Sequence, residues 1–136
     1  MRMDEDNAIR ELLRTSRVIA VVGLSADLGK PSSAVARYLL EKGYRVIPVN
    51  PGQETILGQK SFKSLADIDE KVDIVDIFMR AEKVLPFVRH ALSLKPAAIW
   101  LQLGIVNEKA KELAEAHKIM FVQDKCMKQE HSRLLE

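Results

Sequence analysis

The sequence predicts an α/β protein built on a doubly wound, mainly parallel sheet of about five or six strands, a three-layer sandwich with helices on both faces. Three observations carry that prediction. Short apolar runs recur along the chain, VIAVV, RVIPV, VDIVDIF, AAIWL and IMFVQ. Segments of helical period separate them. Breakers such as Asn50-Pro51-Gly52 and Lys42-Gly43 stand at the junctions. Apolar runs suit strands buried on both faces, and parallel neighbours need a crossover whose helix lands on a face of the sheet.

The elements follow in order. Asp4 to Arg14 is predicted as an amphipathic helix with Ile9, Leu12 and Leu13 as its apolar stripe. Val18 to Gly23 is the first strand. From Ser32 the period becomes helical, with Val35, Tyr38 and Leu39 on one face, Ser32 or Ser33 as cap and Lys42-Gly43 as stop. Arg45 to Val49 is the second strand, and Asn50, Pro51 and Gly52 turn the chain. Ile56 to Phe62 reads as a short edge strand, Val72 to Phe78 as the third principal strand and Lys83 to Ser93 as a helix. Ala97 to Leu101 is the fourth principal strand, Asn107 caps a helix facing inward through Ala110, Leu113 and Ala114, and Ile119 to Gln123 closes the series.

With 136 residues, the chain is the size of one domain spanning 1–136, without linker tracts or repeats. Twenty-one basic against nineteen acidic residues leave a formal charge of +2, too small a field for gripping nucleic acid or an anionic membrane. An anion must therefore be held by a few local groups. A single cysteine, Cys126, excludes an internal disulfide, and the charged start MRMDEDNAIRELL lacks a secretion signal's apolar run. No stretch reaches the roughly 20 apolar residues of a membrane helix. These features predict a cytoplasmic protein.

Ligands of a doubly wound sheet sit beyond the carboxyl ends of its strands, where the strand order reverses. The segment after the first strand, GLSADLGKPSS, offers Gly23 for close backbone approach, hydroxyls at Ser25, Ser32 and Ser33, the Lys30 ammonium and a helix N-terminus. Together these favour a phosphate. The alternative is a tight turn with serine caps. A Walker loop does not fit, because five residues rather than four separate Gly23 from Gly29, and Pro31 follows Lys30 where magnesium needs a hydroxyl. The dinucleotide fingerprint has Ser25 in place of its second glycine, and Asn50 stands where NAD's ribose wants a carboxylate. A phospho-receiver needs acidic residues where GLS and FMR stand.

The blocks VVGLS, KPSSAVARYLLEKGYRVIPVNP, IFMR, IWLQLGI and QDKCMKQEH, in this order, resemble the small stand-alone CoA-binding proteins of bacteria and archaea. These are similar in turn to the CoA-binding domain of the succinyl-CoA synthetase α chain and of ADP-forming acyl-CoA synthetases. The resemblance runs from about Ile9 to Leu135. It implies a Rossmann-like sheet binding coenzyme A, without the histidine-phosphorylation and nucleotide-grasp domains of the large synthetases. It also implies that Gly23, Leu24 and Ser25 line the phosphates, with Lys30 and the amides near Ser32 and Ser33 adding positive potential. Asn50 and Pro51 match the pair that borders the adenosine end.

Arg80, at the third strand's exit, is a second cationic donor or else the partner of Asp76 or Glu82. Asn50 alternatively stabilises its own turn. Gln102, Gly104 and Ile105 form a candidate wall for the pantetheine arm, Met79 and Val84 are core or lining, and Trp100 is core. Cys126, beside Lys125, is a small buried hydrophobe or a thiol near the cofactor's sulfur. His90 and His117 belong to solvated helix faces, with His117-Lys118 standing where the family often has a helix-ending glycine. Cys126, Glu130 and His131 are too few for a metal. The chain is thus expected to bind coenzyme A or an acyl-CoA as carrier, sensor or subunit, with a protein partner or a second copy left open. No catalytic residue is assigned. The alternatives are a small NAD(P)-binding or acyl-transfer enzyme, and an interaction module with an empty sheet.

Overall fold

The computed structural model describes residues 2–136. Helix α1 (Arg2–Thr15) precedes β1 (Val18–Val22), α2 (Pro31–Glu41) and β2 (Arg45–Val49). A hairpin, β3 (Thr55–Ile56) and β4 (Gln59–Lys60), leads through a 3₁₀ turn to β5 (Ile74–Ile77). Then come α3 (Val84–Leu92), β6 (Ala98–Leu101), α4 (Glu108–Ala116), β7 (Met120–Val122) and α5 (Met127–Leu135). The five long strands form one parallel sheet in the order β2-β1-β5-β6-β7. The order reverses between β1 and β5. That junction is the switch point.

The strands bury both faces because both faces are covered. On one side Ile9, Leu13, Val35, Leu39 and Met127 of α1, α2 and α5 pack over Ile19, Val21 and Trp100. On the other, Val84, Val88, Ala110 and Ala114 of α3 and α4 pack over Ala20, Val22, Val75 and Ile99. This is the predicted three-layer α/β fold, and Trp100 is wholly buried with its indole N–H donating to the Lys125 carbonyl.

Three local readings differ from the structure. The expected edge strand at Ile56 to Phe62 folds onto itself, because Leu57 and Gly58 both take positive φ (53° and 75°) and make a tight hairpin. Only Phe62 reaches the sheet, by a bridge to Val49, with its amide donating to the Pro48 carbonyl. Pro48 lacks an amide hydrogen, which an edge strand tolerates. Helix α2 begins at Pro31 rather than at a serine cap, since proline is pre-set for the first helical position. The third difference is α5, which the sequence reading left unassigned. Its residues Met127 and His131 are buried, and the His131 ring meets Tyr38 Oη at 2.9 Å from Nδ1. Lys118 takes a φ of 59° after α4, filling the left-handed role glycine serves elsewhere.

The start of the sheet is tied by one carboxylate. Asp73 Oδ2 accepts from the amides of Arg17 at 2.8 Å and Val18 at 2.9 Å, fastening the entry of β1 to that of β5. Asp73→Ala is expected to lower stability by about 1–3 kcal/mol, the cost of leaving such amides without their charged acceptor. Urea denaturation followed by Trp100 fluorescence measures it, and an unchanged midpoint would remove this role.

Candidate ligand cleft at the sheet switch point

The candidate site is built by the exits of β1 and β5 and by the start of α2. Gly23 leaves β1 with φ +81°, and its amide donates to the Val49 carbonyl at 3.0 Å. A Cβ here would lie 2.4 Å from the Phe78 carbonyl oxygen and 3.2 Å from Met79 Sδ. Only glycine fits that conformation and that gap. The loop beyond is braced by its own polar atoms. Ser32 Oγ accepts from the Ser25 amide at 3.0 Å, Ser25 Oγ from the Asp27 amide at 3.0 Å and Asp27 Oδ1 from the Gly29 amide at 2.9 Å. The hydroxyl expected to cap α2 instead holds the loop against it.

Between these elements lies an open cleft of about 380 Å³ lined by Gly23, Ser25, Lys30, Pro31, Ser32, Phe78, Met79, Arg80 and Ile105. Lys30 and Arg80 are exposed, and among the described residues neither joins an ion pair. Arg80 does not pair with Asp76, which is wholly buried. The cleft thus combines two free cations with the N-terminal end of an eleven-residue helix. Neither carboxylate nor imidazole lines it.

Seven of the thirteen site residues expected from sequence therefore meet round one cleft: Gly23, Ser25, Lys30, Ser32, Met79, Arg80 and Ile105. The other six lie about it. Leu24 and Ser33 are wholly buried below, and Ser33 Oγ has no hydrogen-bond partner among the described residues. Asn50 spends both ends of its amide inside the protein, Nδ2 donating to the Leu24 carbonyl at 2.9 Å and Oδ1 accepting from the Gly52 amide at 2.8 Å. Pro51 is exposed beside it. Gly104, with φ +85°, donates its amide to Asp124 Oδ1 at 2.7 Å.

Gln102 faces a second cavity of about 420 Å³, which shares Pro31, Phe78 and Ile105 with the first and also touches Cys126. Its amide is held at both ends. Nε2 donates to Asp76 Oδ1, and Oε1 accepts from the Met127 amide, 3.3 Å away at the start of α5. Sequence reasoning missed this link, although a carboxylate inside the apolar run VDIVDIF signals a buried polar site. Burial pushes the Asp76 carboxyl up to about 7, against an ordinary 3.8, while the hydrogen bond from Gln102 opposes the rise.

Comparison with known proteins identifies the family. A family model described as a CoA binding domain matches residues 17–132. The chain belongs to that CoA-binding family. The uncharacterized protein YneT of Bacillus subtilis is 36% identical over 124 residues, 91% of this chain and 92% of YneT. The ADP-forming acetate–CoA ligase of Methanocaldococcus jannaschii is 25% identical over 118 residues, which are 80% of this chain but only 17% of the ligase. A solved structure of a hypothetical protein from Pyrococcus horikoshii OT3 has a TM-score of 0.93 at 37% identity, covering 96% of this chain and 92% of that one. This CoA-binding domain is thus homologous to a small region of much longer ligases, and its cleft lies at the switch point.

Two outcomes are expected. Gly23→Ala combines a positive φ with a backbone clash, whereas Gly43→Ala, at φ +93° with nothing within 4 Å, meets only the conformational penalty. The first should cost over 2 kcal/mol and the second about 1 kcal/mol in chemical denaturation, and equal costs would exclude the clash. The raised Asp76 pKa means that the folded state keeps a proton the unfolded chain releases. Its stability contribution is complete below about pH 4 and is lost as pH rises through about 7, at roughly 1 kcal/mol per pH unit. Asp76→Asn should therefore gain stability over wild type between about pH 5 and about pH 8. A difference that stays constant across that range would contradict this ionisation.

Proposed function

We propose that this domain binds coenzyme A or an acyl-CoA, with the pyrophosphate over Gly23, Ser25 and the start of α2 and with Lys30 and Arg80 as counter-charges. The observation that carries the reading is the cleft itself, where the start of α2 meets two cations that join no ion pair among the described residues. The donor set fits the ligand's chemistry. A helix N-terminus suits phosphate oxygens, and a guanidinium can grip two of them at once. Family membership supports coenzyme A over other phosphates. Asn50 disfavours NAD, because its amide is committed to Leu24 and Gly52 and it carries no carboxylate for a ribose diol.

The role is that of a carrier, sensor or subunit rather than of an enzyme complete in itself. What supports this is the lining, in which Ser25 Oγ already accepts from the Asp27 amide and neither carboxylate nor imidazole stands among the lining residues. In this reading the pantetheine arm leaves the phosphates past Met79 and Ile105 toward Gln102, and Asn50, Pro51 and Gly104 shape the surrounding loops.

Calorimetry with coenzyme A, NAD and ATP should show saturable binding of coenzyme A alone. Arg80→Ala and Lys30→Ala should each weaken it about ten- to a hundredfold, the range of a charge-assisted hydrogen bond. No heat with coenzyme A, or equal affinity for NAD, would overturn the assignment.

A further inference from the structure

We infer that the cavity beside the phosphate cleft receives the acyl end of the ligand, so that the preferred ligand class is a CoA thioester of an uncharged, apolar acyl group. This rests on the coenzyme A reading above and adds a selectivity to it. The cavity measures about 420 Å³ and shares Pro31, Phe78 and Ile105 with the cleft, so an arm leaving the phosphates meets it next. Val35, Leu103 and Cys126 complete a mainly apolar wall, and no charged side chain lines it. Leu103 is 61% exposed, an apolar rim without a cover.

At about 30 Å³ per water, that space equals roughly fourteen waters, more than a thiol alone displaces. Water against such walls has few partners, and an acyl chain that replaces it removes apolar surface from solvent. A carboxylate on the acyl group would find no cationic side chain there in exchange for its water. The Gln102 amide facing the cavity is already held by Asp76 and the Met127 amide, and the carboxyl behind it is itself acidic. Desolvation without a cation therefore selects against dicarboxylic thioesters.

The test is equilibrium binding of coenzyme A, acetyl-, butyryl-, hexanoyl- and succinyl-CoA, with adenosine 3′,5′-bisphosphate as the nucleotide half alone. Affinity should climb about fourfold per methylene from acetyl to hexanoyl, and butyryl-CoA should bind at least about tenfold more tightly than succinyl-CoA. Gln129→Trp, on an exposed position lining the cavity, should flatten the chain-length series. Cys126 is the sole cysteine and reports the cavity directly. Hexanoyl-CoA should slow its alkylation by iodoacetamide, read by intact mass, and adenosine 3′,5′-bisphosphate should not. Equal affinities along the series, succinyl-CoA as tight as butyryl-CoA, or Cys126 left unprotected by hexanoyl-CoA would each overturn the inference while coenzyme A binding stood. Absence of binding by every CoA species would overturn both.

Discussion

The closeness of two backbones at the exits of β1 and β5 sets the architecture of the cleft. With 2.4 Å between a notional Cβ on Gly23 and the Phe78 carbonyl oxygen, no side chain fits there. The loop after β1 is consequently held low over the sheet, and its polar groups turn toward one another and toward α2 rather than into the gap. The Gly23 amide is spent on the Val49 carbonyl and the Ser25 amide on Ser32 Oγ, so the start of α2 and the side chains of Lys30 and Arg80 are what the cleft presents. Lys30 and Arg80, both exposed, add charge at the rim.

A second constraint runs through the interior. Asp76 lies in the middle of the sheet and is wholly buried, yet only one of its oxygens is hydrogen-bonded among the described residues. Gln102 relays that bond to the first amide of α5, whose own N-cap residue, Cys126, supplies no side-chain bond. One amide thus serves as a remote cap, joining β5, β6 and α5 at the wall of the second cavity. Polar interior links of this kind carry a desolvation cost and are tolerated where each member is held. The incomplete pairing of Asp76 is consistent with its upward-shifted pKa, because burial disfavours the charged form more than a single hydrogen bond restores it.

Much of this was legible in the sequence because it follows from period and steric punctuation. The five sheet strands, the switch point and the capping role of Asn107, whose Oδ1 accepts from the Ala110 amide at 2.9 Å, are local consequences of residue type. Gly23 reads as the place where backbone approaches a ligand, whereas the close approach in the structure is to the Phe78 carbonyl. The missed features depend on partners distant in sequence. Helix α5 carries only Met127 and His131 as buried residues, so its pattern is weak, and its position depends on Gln102, Tyr38 and contacts with α1. The hairpin at Leu57 was hidden because leucine rarely takes positive φ.

Asn50 shows how one side chain can tie two loops together. In a nucleotide-binding sheet the end of the second strand is where a carboxylate would receive the ribose diol. Here an amide replaces it, and that amide is used to bind the loop after β1 to the turn after β2. The substitution changes two things together. It leaves no carboxylate at that position, and it ties down the loop after β1. Since Leu24 has a wholly buried side chain and its carbonyl is the anchored group, the loop cannot lift without breaking both a hydrogen bond and a core contact. The absence of a carboxylate and the tethering of the loop therefore come from the same side chain.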